Sequence, residues 1–293
     1  MKYPVLLAAF ALLAAHEARP TPADAAPATQ APVHLQHVTI RSMGRGDPVV
    51  LIPGLASPAA VWDGIVPDLA KSHRVITVEV NGFGGGDAGA NDQPGLLGGV
   101  VADLAGWLAA NHVERPAVIG HSMGGLMGMM LVRDHPERVG RLMIVDSLPF
   151  FGTIIAPGAT VDTLRPTAAG IRDSIRNATT PMETPPNMSN TPAGVAQVTA
   201  WSRAADRKVV AEALYEDLTT DLRPDVAKLS RPITMLYPVP NPQAEPMVAK
   251  MYGDAYAAAP HVKMVPIQNS YHFIMLDQPA AFRAAVDEFL AGK

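Results

Sequence analysis

The 293-residue chain contains no cysteine, so it can be neither cross-linked by disulfides nor tied to a lipid through a thiol, whatever compartment it occupies. Charge is scarce too: Asp, Glu, Lys and Arg make up 17% of the residues, the net charge is −4, and no basic run breaks the pattern. The electrostatic footprint of a nucleic-acid binder is therefore missing, and a small, neutral, apolar substrate suits the composition better. Long apolar runs are also absent. The run near the start, residues 5–15, falls well short of the roughly 20 residues needed to cross a bilayer, and no later run reaches that length, so no stable membrane anchor is expected.

What is present begins with Lys2, that apolar run, and a polar stretch ending in Ala23, Asp24 and Ala25. This is the pattern of a secretory signal peptide over residues 1–25, and it predicts a periplasmic or secreted protein. Residues 26–33, rich in Ala, Pro and Thr, bury too little to order themselves and are expected to form a linker. From 34 to 293 the length suits one domain with an insertion.

Short runs rich in Val, Ile and Leu recur at 49–52, 75–80, 117–119, 142–145, 233–237 and 262–267, with helix-period stretches such as LLGGVVADLAGWLAANH between them. Strands alternating with helices predict an α/β fold: a mostly parallel sheet with helices on both faces. From about 148 to 222 the rhythm lapses into helical fragments and a loop, TTPMETPPNMSNTPAG. That interval is read as an inserted helical cap, with its Pro- and Asn-rich loop (179–194) expected to be a mobile lid.

The segment AVIGHSMGGLMGMM is a strand, a sharp turn and a helix, with G-x-S-x-G in the turn. Small residues two before and two after Ser122 are needed because neighbouring backbone passes close to both. A serine hydroxyl needs a base and an orienting group behind it. Of nine histidines, His272 is the candidate base, lying late in the chain between the last strand and the last helix. His121 adjoins the nucleophile but points the other way along the turn. Two backbone N–H groups suit an oxyanion: that of Met123, just after the nucleophile, and that of Leu55 in the turn VVLIPGLASPAAVW. No metal-ligand set and no phosphate loop is visible, so neither metal nor cofactor is expected.

GHSMGG after a strand, IPGLAS, VEVNGFGGGDAG and the closing HFIMLDQP together resemble the α/β-hydrolase superfamily from about residue 33 to the C-terminus. The resemblance implies an eight-stranded sheet, the first strand being the one this chain stands to lack, with a cap after the sixth. It also implies a triad acid in the loop after the seventh strand, where this chain reads Pro238, Val239, Pro240, Asn241 and offers no aspartate. Some members, including haloalkane dehalogenases, place the acid at the end of the sixth strand, which here ends RLMIVDSLPF. Asp146 is therefore the leading candidate, with Glu245, Asn241 or a dyad without an acid as alternatives. The expected activity is carboxylic-ester hydrolysis through an acyl-enzyme on Ser122. Lactone, thioester, peptide and carbon–carbon hydrolysis stay open, as does a receptor-like protein without turnover. Phe150, Phe151 and Trp201, with Ile154, Ile155, Met182 and Met188, are candidate apolar walls for the substrate, although each also suits plain core.

Overall fold

The computed structural model describes residues 30–156 and 158–292. The expected signal peptide and the first residues of the expected linker lie outside them. Within the described residues, strands β1 (Val33–His34), β2 (Val38–Met43), β3 (Asp47–Ile52), β4 (His73–Val80), β5 (Ala117–His121), β6 (Arg141–Val145), β7 (Ile233–Val239) and β8 (Val262–Gln268) form one sheet. The helices are α1 (Val66–Leu69), α2 (Leu96–Ala110), α3 (Met123–Asp134), α4 (Gly152–Ile155), α5 (Val161–Asn177), α6 (Pro192–Ala204), α7 (Arg207–Thr219), α8 (Glu245–Tyr256), α9 (Ile274–Asp277) and α10 (Pro279–Leu290).

The strand order is β1-β2-β4-β3-β5-β6-β7-β8. Strands β3 to β8 run parallel, while β1 and β2 join at the edge as antiparallel strands. All eight strands are therefore present, including the first, which the sequence did not reveal. Strand begins at Val33, inside the stretch expected to be linker. Both of its residues are exposed and it is held to β2 by backbone pairing and by the His34 ring, whose Nδ1 lies 3.0 Å from Thr39 Oγ1, so no hydrophobic pattern marks it.

The inner parallel strands β3, β5, β6 and β7 are buried along most of their length, which explains their apolar runs, whereas β8 at the edge is mostly half-buried or exposed. Side chains alternate across the sheet. Val50, Ile52 and Val118 pack beneath α2, α3 and α8, together with Leu104, Met127 and Tyr256. Val49, Leu51 and Ile119 face the other way, onto Trp62, Leu69 and the α10 residues Phe282, Val286 and Phe289. Each such side chain, removed fully from water, contributes roughly 1.5–3 kcal/mol.

The order reverses between β3 and β5: from β3 the chain crosses to β4 on one side, and from β5 onward it builds outward on the other. A crevice opens at such a switch point, beyond the carboxyl ends of the strands, and groups from both loops converge there. Between β6 and β7 the described residues form helices and no strand. This helical segment is joined to the rest by specific contacts. The Glu216 carboxylate of α7 accepts hydrogen bonds from the N–H groups of Gly95, Leu96 and Leu97 at 2.5, 2.9 and 2.8 Å, capping α2, whose own flanking residue Gly95 has no side chain to do so.

Glu216→Ala leaves three N–H groups of α2 without this acceptor. Urea unfolding is expected to show a loss of roughly 1–2 kcal/mol, with Glu216→Gln losing less because its amide oxygen still accepts.

Candidate active site

Ser122 follows β5 directly and precedes α3 with φ 53° and ψ −124°, a conformation that non-glycine residues avoid and that stores strain at functional sites. The flanking glycines make the turn possible by close approach. A Cβ on Gly120 would lie 2.2 Å from the Gly124 carbonyl oxygen, and one on Gly124 would lie 2.3 Å from that of Ile52. Met123 is the first residue of α3, so its N–H has no carbonyl four residues back within the helix. In the loop after β3, Ser57 N–H donates to the Gly54 carbonyl at 3.2 Å. That turn makes no use of the Leu55 N–H. Leu55, Ser122 and Met123 line one cavity of about 800 Å³.

Asp146 directly follows β6 with φ 49°, its backbone N–H held by the Leu236 carbonyl at 2.9 Å. Left-handed geometry is tolerable for aspartate, and it turns the carboxylate out at the edge of the sheet. His272 reaches it from the loop between β8 and α9: Nδ1 lies 2.6 Å from Asp146 Oδ2. With Nδ1–H donated to the carboxylate, Nε2 is left as the ring's proton acceptor. Both residues line the same cavity as Ser122. The second carboxylate oxygen, Oδ1, accepts the phenol of Tyr252 on α8. Burial pushes the Asp146 carboxyl up, but the imidazole of His272 and the hydrogen bonds from His272 and Tyr252 outweigh it and hold the carboxyl below its usual range. Tyr252 moves the opposite way, raised by burial and by the Asp146 charge, so it stays a donor.

The alternatives for the acid are engaged elsewhere. Asn241 Oδ1 accepts the Ala244 N–H at 3.0 Å and shapes the turn into α8. Glu245 opens that helix and its charge acts on Tyr237. Neither lines the cavity, whereas Pro240 does, as does Pro238, which with Val239 belongs to the end of β7 rather than to the loop expected there.

His121 packs behind the site. It is fully buried, its ring centroid lies 4.6 Å from that of His272, and its Nε2 lies 3.0 Å from the His272 backbone oxygen. Because the partner is a carbonyl, Nε2 carries the proton. Burial, with the nearby His272 adding to it, lowers the His121 pKa to about 3, so the ring stays neutral and holds the His272 backbone in place. Asp277 braces the same loop from below. Its carboxylate accepts the Tyr271 N–H at 2.7 Å, the Asn190 N–H at 3.0 Å and the Ser189 hydroxyl. The Pro- and Asn-rich loop read from sequence as a lid is thus pinned at one end to the histidine loop, also through Phe273 N–H donating to the Met188 carbonyl at 2.9 Å.

The expected apolar walls divide. Phe151, Ile154, Met182 and Met188 line the cavity. Phe150 does not: it is 1% exposed, packs with Ala159 and Leu164, and carries the Arg223 guanidinium 4.4 Å over its ring. It is core of the helical segment rather than substrate wall. Trp201 is displaced as well. Val198 and Ser202 of α6 face the large cavity, but Trp201, one residue before Ser202 and so about 100° around the helix, packs on Phe273. It lines a separate cavity of about 280 Å³ beside Pro279 and Phe282. Tyr252, His121 and Asp277 were not anticipated as supports, because each acts through a contact between segments distant in sequence.

A sheet of this order, carrying a serine elbow and an imidazole–carboxylate pair at its carboxyl edge, is the arrangement of an α/β hydrolase. The chain belongs to the alpha/beta hydrolase fold family, which matches it over residues 47–199, more than half its length. It is 27% identical over 256 residues to a pimeloyl-[acyl-carrier protein] methyl ester esterase of Edwardsiella ictaluri, covering 84% of this chain and 93% of that one. A second such esterase, from Aeromonas hydrophila, is 37% identical over 118 residues. That match takes in 39% of this chain and less than half, 43%, of the relative. Among solved structures, a thermophilic esterase from Thermogutta terrifontis superposes with a TM-score of 0.75 at 20% identity, covering 90% of this chain and 99% of the other.

The Asp146 contacts give a stability prediction. A carboxyl held below its unfolded-state pKa contributes stability that is complete above that value, about 3.9, and is lost as the pH falls through the folded one. Tyr252→Phe is expected to cost roughly 1.5–3 kcal/mol at neutral pH, as for hydrogen bonds to charged groups. The gap from wild type should shrink as the pH falls below about 4, as read by urea unfolding across that range.

Proposed function

We propose that this protein is a secreted serine hydrolase that cleaves carboxylic esters, with Ser122 as nucleophile, His272 as base and then acid, and Asp146 as the orienting carboxylate. The observation that carries the reading is the strained Ser122 elbow opening into one cavity with the His272–Asp146 pair. In the first half-reaction the Ser122 hydroxyl oxygen attacks the ester carbonyl carbon while its proton passes to His272 Nε2. Asp146 stabilises the imidazolium that forms. The oxyanion is met by the N–H groups of Leu55 and Met123, the latter at the positive end of α3. Collapse breaks the bond to the alcohol oxygen, which takes the proton from Nε2. Water then repeats the sequence on the acyl-enzyme and regenerates Ser122.

The helical segment over about 148–222 is read as the cap of this site, since Phe151, Val198 and Leu214 form walls opposite the sheet loops. The cavity is mostly apolar and suits a small substrate with an aliphatic acyl or alcohol part. A receptor-like protein without turnover drew its support from the missing acid after β7, and an aspartate bonded to His272 from β6 removes that support.

An activated serine reacts covalently with a fluorophosphonate probe. Labelling of wild type but not of Ser122→Ala is the expected result, and an unlabelled, folded wild type would sink the proposal. On p-nitrophenyl esters, Ser122→Ala and His272→Ala are each expected to lose nearly all activity. The double variant should be no worse than either alone, since the two act as one unit.

A further inference from the structure

One face of α7 looks into the cavity, with Arg207, Val210, Leu214 and Asp217 all on its wall. Their spacing of three, four and three residues keeps them on a single stripe of the helix. Arg207 is already occupied by the carbonyls of Ile175, at 3.3 Å, and Thr180. Asp217 is not. It is 7% exposed, and among the described residues no hydrogen bond or salt bridge reaches its carboxylate. It also lies in the last turn of α7, where the helix's carbonyl end disfavours negative charge.

Burial pushes the Asp217 carboxyl up to about 7, with only the charge of His272 drawing it back. The other titratable groups on the cavity wall are His121, Asp146, Tyr252, Tyr271 and His272 on the sheet side, and Arg207 and Glu183 on the cap side. None neutralises Asp217. Asp146 is taken by His272 and Tyr252, Glu183 pairs with Arg203, and Arg207 is ten residues away along the helix, about 15 Å. An unpartnered buried carboxylate opposes folding. The fold gains nothing from a charge here that asparagine or leucine would not supply at lower cost, so its use lies in what enters the cavity.

We infer that Asp217 is a specificity-determining residue of the substrate cavity, accepting hydrogen bonds from a protonated amine carried on an otherwise apolar substrate chain. The inference rests on the reading above that this cavity receives the substrate. A hydroxyl group would satisfy one lone pair and leave the charge uncompensated, whereas an ammonium supplies both the bond and the opposite charge. A single carboxylate is too few ligands for a divalent cation. Val210, Leu214 and Ile175 line the same cavity and suit the methylene chain that carries the amine.

The test is binding, which needs no turnover and so separates this inference from the failure of the esterase reading. n-Hexylammonium, 1-hexanol and hexanoate are titrated into wild-type protein and into Asp217→Asn by calorimetry. At pH 8 the wild type is expected to bind hexylammonium at least tenfold more tightly than 1-hexanol, with hexanoate weakest. Below about 7 Asp217 is protonated and must release its proton when the ammonium binds, so hexylammonium affinity should fall about tenfold from pH 8 to pH 6. Asp217→Asn should lose both the preference and the pH dependence, although His272 is retained. Removing the buried charge should also raise the melting temperature. A folded-state pKa raised above the unfolded value costs stability only when the group ionises, so the gain should be larger at pH 8 than at pH 5. Equal binding of hexylammonium and 1-hexanol by wild type overturns the inference without any variant. Undiminished hexylammonium binding by Asp217→Asn, or a melting temperature lowered by that change at pH 8, overturns it as well.

Discussion

The 2.6 Å bond between His272 Nδ1 and Asp146 Oδ2 is the constraint around which this edge of the sheet is arranged. It joins the end of β6 to the loop after β8 and passes over β7, which lies between them. Parallel strands are about 4.8 Å apart, so the histidine loop has to lean inward across one strand, and three contacts hold it there. His121 takes its backbone carbonyl, Asp277 takes the N–H of Tyr271, and Ser270 N–H donates to the Val239 carbonyl at 3.3 Å. Because the charge comes from β6, the loop after β7 has none to supply. Its Pro240 is free to form cavity wall and its asparagine to form a turn.

The same demand explains Tyr252. A carboxylate buried at a strand end needs donors for both oxygens, or its pKa rises and the imidazole loses its anionic partner. His272 satisfies one and the phenol from α8 the other. On the opposite wall, the helical segment is fastened to the sheet domain at separate points. Glu216 caps α2, Asp206 N–H donates to the Gly82 carbonyl at 2.7 Å, and Ser189 and Asn190 meet Asp277. Asp277 therefore braces the histidine loop and the Pro- and Asn-rich loop with one carboxylate. Among the described residues, Asp217 stands out against this background of satisfied acids as the one on the cavity wall left without a partner.

Much of this was legible in the sequence because it is local. The six parallel strands announce themselves as runs rich in Val, Ile and Leu, and the G-x-S-x-G turn must be glycine-flanked to exist at all. Asp146 was reachable by noticing that PVPN holds no acid and that VDSLPF does. What escaped has a common physical cause. Strand β1 is two exposed residues held by backbone pairing and one polar side-chain contact to β2. Phe150 and Phe151 are adjacent and chemically identical, and only the packing of Leu164 and Arg223 decides that the first turns inward. Trp201 misses the cavity by a fraction of a helical turn. The supporting side chains Tyr252 and Asp277, and the unpartnered Asp217, are defined by what lies across from them, which a one-dimensional pattern does not carry.

The central claim is that the acid serving His272 has moved from the loop after β7 to the end of β6. It is tested most directly by kcat for Asp146→Asn and Glu245→Gln on one p-nitrophenyl ester, with circular dichroism to verify that both variants are folded. An amide at Asp146 cannot stabilise the imidazolium, so kcat is expected to fall by roughly 10³–10⁴, while Glu245→Gln stays within a few-fold of wild type. An Asp146→Asn variant nearly as active as wild type beside an inactive Glu245→Gln would place the acid in the proline loop and contradict the account.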